Sequence, residues 1–195
     1  MYRRINEFIH LLKVSGVSGI SRRYFVMNSF DGALTMLGVI VGAYVAGVVN
    51  PKTIIGVGLG ASLAMGISGF SGAYMTEKAE RLRKLKKLRK AMLADLDKSL
   101  HNRASRLASL WLATVDGVSP FLAAMVSITP FFLAVSNIIS VEHAVLFSIS
   151  LIMIVLFFLG FFLGRISKEN AFLWGLRMIV AGIATAVISL LVGGW

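Results

Sequence analysis

The chain has 195 residues, 57% of them hydrophobic, and a mean hydropathy of +0.82, values that exclude an ordinary soluble domain. It contains no cysteine, which excludes disulfides and thiolate metal sites and leaves the redox compartment open. A net charge of +11 would suggest nucleic acid in a soluble protein, but here the placement of the charges matters more than their sum.

Residues 1–20 set Ile5, Phe8, Ile9 and Leu12 at helical spacing, with Arg3, Arg4 and Glu7 off that stripe. This pattern predicts a short amphipathic helix on the inner membrane surface. The first apolar run, 24–48, starts past residue 20 and is too long for a signal peptide. Four more follow, at about 53–75, 107–136, 143–164 and 171–192. Each meets the roughly 20 residues that span about 30 Å of hydrocarbon. Lipid obliges every backbone polar group to bond within its own segment, so the expected fold is all-α with five transmembrane helices.

Eleven of the 20 Lys and Arg fall between Lys78 and Arg106, and others flank the first and last spans on the same side. The opposite side has Lys52, Glu142 and His143. The positive-inside rule then predicts a cytoplasmic N-terminus and, after five crossings, an external C-terminus. The resulting division is an interfacial helix at 1–20, spans one and two in 24–75, a basic cytoplasmic segment at 76–106, and spans three to five in 107–195.

Asn50-Pro51 makes the first outer turn very short. In the second span Gly56, Gly60, Ala64, Ser68 and Gly72 recur every four residues, a spacing that lets helix backbones approach closely. From Thr76 to about Leu100 there is no Gly or Pro, so the helix is expected to continue into the cytoplasm. There Leu82, Leu85, Leu88, Met92 and Leu96 form a stripe within a Lys/Arg-rich surface. Such a surface could be a solvated anchor, a face for anionic lipid, or a seat for a partner. Without aromatic residues for stacking, it is not read as a nucleic-acid site. Pro120 and Pro130 predict a bend in the third span.

Three charged residues lie within the apolar runs: Asp31, Asp116 and Arg177. An acid at a helix centre costs about 2.5–3.5 kcal/mol on insertion scales, which makes an ion or proton site the default reading. Counted from the cytoplasmic ends all three sit seven to nine residues deep, or ~10–14 Å at the helical rise. A salt bridge of Asp116 with Arg177 would leave Asp31 with a cation or proton as its partner. Thr35, Gly38 and Gly42 fall on the Asp31 face, and Gly58, Ser62, Gly69 and Gly72 are expected to cluster around Met65. The inferred site lies between packed helices, across a two-fold axis, with Asp31 and Met65 facing it. Carboxylate plus thioether suits a borderline divalent ion such as Fe²⁺ or Mn²⁺. His10, His101 and His143 are scattered outside the spans and receive no metal role.

Several stretches resemble the vacuolar iron transporter family. Phe30-Asp31-Gly32-Ala33-Leu34-Thr35-Met36-Leu37-Gly38-Val39 resembles its DGxxTxxG opening, and Ala64-Met65-Gly66-Ile67-Ser68-Gly69-Phe70 its second-span Ser-Met-Gly stretch. Ser119-Pro120 through Ala124 is similar to the start of its third span, and Trp174-Gly175-Leu176-Arg177-Met178 with Gly182 to its closing helix. The resemblance implies a five-span homodimer with the ion path between subunits. It implies Fe²⁺ or Mn²⁺ moved out of the cytoplasm in exchange for protons, no tightly bound cofactor and no enzymatic activity. Asp31 and Met65 would line the path, Thr35, Asp116 and Arg177 would serve the path or its coupling, and Gly38, Gly42, Gly69 and Gly72 would pack helices.

One departure is plain. Iron-storing members carry Glu-rich helices between spans two and three, whereas this chain has Arg81-Leu-Arg-Lys-Leu-Lys-Lys-Leu-Arg-Lys90. Its acids there are Glu77, Glu80, Asp95 and Asp97, of which Glu77 and Glu80 are candidates for a cytoplasmic metal entrance. The short loops favour a prokaryotic plasma membrane. The alternative function is a non-transporting membrane protein whose basic helix docks anionic lipid or a partner. An intramembrane aspartyl protease is disfavoured, because neither acid has the GxGD context of that class.

Overall fold

The computed structural model describes residue 12 and residues 16–92 and 100–193. Most of the amphipathic segment expected at 1–20, and Asp95 and Asp97, lie outside the described residues. The architecture is all-helical: α1 Ser18–Val45, α2 Pro51–Met92, α3 Leu100–Val135, α4 Val141–Ser167 and α5 Ala171–Gly193. All five are long and apolar enough to cross a membrane. The second span does continue without a break into the basic segment, as α2. The third helix starts at Leu100, well before the apolar run at 107, and runs unbroken through Pro120 and Pro130.

The connections follow from local chemistry. Gly47, at φ 72°, ends α1 with bonds from Gly47 N to Tyr44 O and Val48 N to Ala43 O. Pro51 then occupies the first position of α2, where a missing N–H costs nothing, and the Asn50 side chain accepts from Lys52 N at 3.0 Å. Ser140 caps α4, and Lys168 closes it in the left-handed region at φ 56°. Asn170 Oδ1 accepts from Phe172 N and Leu173 N to start α5.

The residues group into two compact units. One contains the described residues up to Phe25 together with Gly66–Val118. Its small core is Val17, Ala108 and Leu112, flanked by Leu12, Ile20 and Tyr24. Here α2 and α3 meet through glycine: a Cβ on Gly66 would come 2.9 Å from the Gly117 carbonyl oxygen, and one on Gly117 would come 2.6 Å from that of Gly66. Trp111 Nε1 donates to Ser21 Oγ at 3.1 Å.

The other unit contains Val26–Met65 and Ser119–Trp195. Its core is built from Ala33, Met36, Leu37, Ile40 and Val41 of α1 and Ala124, Ile128 and Phe131 of α3, joined by Ile54, Ile152 and Leu156. Alanine and glycine along this contact let the backbones close up, as membrane helices require when lipid gives no hydrophobic drive to associate. α4 and α5 pack as a hairpin on the same principle, with Gly160 and Gly164 set against the Ala171, Trp174 and Gly175 segment. The remaining face of α5 is large and apolar, with Phe172, Leu176, Val180, Ile183, Val187 and Leu191 exposed as a lipid-facing surface should be.

Candidate metal site

Asp31 sits where α1 turns away from its own core. Its neighbours Gly32, Ala33, Met36 and Leu37 are buried, whereas Asp31 is exposed and Thr35, Gly38 and Gly42 are half-buried. The polar face expected at this register is therefore the face that the α1–α3 core leaves uncovered. Gly32 fixes its position, since a Cβ there would lie 2.6 Å from both Cα and the carbonyl oxygen of Pro120. One turn earlier Ser29 Oγ donates to Ser119 O at 3.4 Å.

Neither polar side chain on this face has a partner among the described residues. Asp31 makes no hydrogen bond or ion pair there. Thr35 differs from Thr76, Thr114, Thr129 and Thr185, whose hydroxyls each bond the carbonyl four residues back; the Thr35 hydroxyl makes no such bond. A carboxylate and a hydroxyl one helical turn apart, both with free lone pairs, can ligate a cation or hold a proton.

Met65 is half-buried on α2. The small residues expected to cluster around it divide between two faces. Gly58 and Ser62 are buried within the chain, Gly58 against Met36 and Ile128, whereas Gly72 is exposed and Gly69 half-buried. The reason is the four-residue spacing of two parallel rows: Gly58 and Ser62 face the core of their unit, whereas Gly56, Gly60, Ala64, Ser68 and Gly72 are exposed. Of the four packing glycines, Gly38 has Ser189 Oγ 3.8 Å from its Cβ position, and Gly69 has Asp116 Oδ2 at 2.9 Å. Gly42 and Gly72 face open space among the described residues.

The other charged groups are each held locally. Asp116 is buried, with 9% exposure, beside Gly69. Arg177 is exposed, and its guanidinium lies over the Trp174 ring, 5.3 Å from the centroid. Glu77 Oε1 accepts from Tyr24 Oη at 2.9 Å, and its Oε2 is 3.3 Å from Arg81 Nε. Glu80 pairs with Lys84 at 3.6 Å in an exposed position. Both proposed entrance acids thus have a cation one turn on, the arrangement that lends modest helix support. Tyr24 was not singled out by the sequence, because its link to Glu77 joins residues 53 positions apart. Among the described residues no three His, Cys, Asp or Glu side chains converge into a metal-holding group.

A match to the VIT family covers residues 79–194. The chain is also 33% identical over 182 residues to an uncharacterized protein of Methanocaldococcus jannaschii, an alignment covering 92% of this chain and 91% of that one. The family match takes in α3, α4 and α5, and the archaeal relative extends the similarity through the first two spans. With five membrane-length helices, a basic stretch in place of a Glu-rich domain and this similarity, the chain is an integral membrane protein that belongs to the VIT family of membrane metal transporters.

Proposed function

We propose that the protein is a homodimeric transporter that moves Fe²⁺ or Mn²⁺ out of the cytoplasm in exchange for protons, with Asp31 and Met65 lining a path between the subunits. The observation that carries this reading is the unpartnered Asp31–Thr35 pair on a face outside the core of the chain. A bare carboxylate in lipid is too costly to keep without a partner, and one chain supplies none among its described residues. A two-fold axis through this face would bring a second Asp31, Thr35 and Met65 to the same ion, giving carboxylate and hydroxyl oxygens with thioether sulfur. That mixed set suits Fe²⁺ or Mn²⁺ better than a strictly oxygen-seeking cation.

The outward row of small residues on α2 supports the dimer. A lipid-facing helix gains nothing from Gly56, Gly60, Ala64, Ser68 and Gly72 on its outer side, whereas a facing helix gains close backbone contact. Proton exchange follows from the same carboxylate, since a group that binds a cation in one state and a proton in the other couples their movements. Asp116 and Arg177 are assigned to coupling. The cytoplasmic N-terminus follows from the basic segment of α2, and a prokaryotic plasma membrane fits the archaeal relative.

The test is flux in proteoliposomes. Wild type should carry Fe²⁺ or Mn²⁺ with a counterflow of protons, and Asp31→Ala should abolish metal flux. Undiminished flux in the variant would remove Asp31 from the path, and absence of flux for every divalent metal would favour a non-transporting protein.

A further inference from the structure

The unit containing the cytoplasmic half of α2 holds a cavity of about 510 Å³ between α2 and the start of α3. Two cations line it, Lys78 from α2 and Arg106 from α3. The described lining includes no acid. The Lys78 ammonium rests 5.3 Å from the centre of the Tyr74 ring, and Arg106 makes no hydrogen bond or ion pair among the described residues. This sets both apart from Arg81 and Lys84 on the same stretch of α2, whose charges are met by Glu77 and Glu80. Two cations that meet no acid among the described residues and converge on a hollow repel metal ions and favour an anion.

The remaining lining selects the kind of anion. Ser105 and the buried Asn102 bring a hydroxyl and an amide to the same wall, groups suited to phosphate oxygens. Leu82 and Leu110, 46% and 47% exposed, form an apolar flank. The cavity lies where α2 changes from the apolar Tyr74-Met75 to the basic Lys78, and where α3 changes from Arg103 and Arg106 to an apolar run. Those transitions mark the level of lipid head groups.

We propose that the cavity between Lys78 and Arg106 is a phosphate-binding site, filled by the phosphate of an anionic phospholipid head group or by free phosphate. A head group places its phosphate between the two cations while its acyl chains run along the leucine flank. The site is independent of metal transport, because none of its residues belongs to the Asp31 face.

Binding to the purified full-length protein in a neutral detergent tests it, with native mass spectrometry as the readout. Phosphatidylglycerol should bind at least tenfold more tightly than phosphatidylcholine, one per chain. Lys78→Gln with Arg106→Gln should bring the two lipids level, and Lys78→Arg with Arg106→Lys should restore the preference. Lys86→Gln with Lys87→Gln, which removes the same charge elsewhere on α2, should change affinity less than twofold. Inorganic phosphate at matched ionic strength separates the sources: displacement of the lipid at submillimolar concentration assigns the site to the free ion, and failure to displace assigns it to the head group. Equal binding of the two lipids by wild type with no binding of inorganic phosphate, or equal losses in the two Gln pairs, would overturn the proposal. If the double Gln variant does not fold, the single exposed Arg106→Gln carries the same comparison.

Discussion

Gly32 lies directly against Pro120, so close that a Cβ on the glycine would stand 2.6 Å from both the Cα and the carbonyl oxygen of the proline. Both atoms are backbone and cannot swing aside. Gly32→Ala must therefore push α1 away from α3, and overpacking of this kind costs about 1–3 kcal/mol. Because Asp31 is the preceding residue, the same displacement shifts its carboxylate. The variant is expected to show a lower thermal midpoint in detergent, and metal flux reduced further than its folded fraction accounts for. A midpoint equal to wild type would mean that the two helices do not meet as closely as this.

Two glycines of α2, two residues apart, should behave in opposite ways. A Cβ on Gly58 would stand 2.6 Å from Met36 Cε and 3.1 Å from Ile128 Cδ1, inside the core, whereas Gly60 has nothing within 4 Å. Gly58→Leu is expected to lower stability by several kcal/mol, as a bulky insertion into a filled core does. Gly60→Leu is expected to leave the chain folded and, on the homodimeric assembly proposed above, to shift the protein from dimer to monomer. Light scattering of the purified protein reads the second effect, and an unchanged dimer would place the subunit interface elsewhere.

The hydrogen bond from Tyr24 to Glu77 ties α1 to α2 near the start of the basic stretch of α2. Tyr24→Phe keeps the ring and removes the donor, and should cost about 1 kcal/mol. In a double-mutant cycle with Glu77→Ala, the two losses should fall short of additivity by a similar amount. Additive losses would show that the pair does not interact in solution.

Much of this architecture is legible in the sequence. Five apolar runs, a proline at the start of the second helix and a Gly- and Pro-free basic stretch are local properties, and helices α1 to α5 follow them. The exposure of Asp31 alongside a buried Ala33, Met36 and Leu37 also agrees with a helical-phase argument. Charge placement in a membrane is equally local, because each buried charge has its cost wherever the rest of the chain lies.

Which side of each helix faces its own chain is a different matter. Gly58 and Gly60 both belong to four-residue rows of small residues in an apolar helix, and nothing in either row distinguishes core from surface. In a soluble protein, polar residues would mark the outer face; in lipid both faces are apolar, and periodicity loses that information. Packing makes the choice, through the fit of Gly58 onto Met36 and Ile128. The same holds for Glu77 with Tyr24 and for Lys78 with Arg106, pairs distant in the chain and brought together by the folded helices. Composition and spacing thus dictate the number of spans and the expensive acid at Asp31. Only helix packing decides that its face stays uncovered and that the basic segment folds around a hollow, because side-chain fit between helices is not encoded in any one of them.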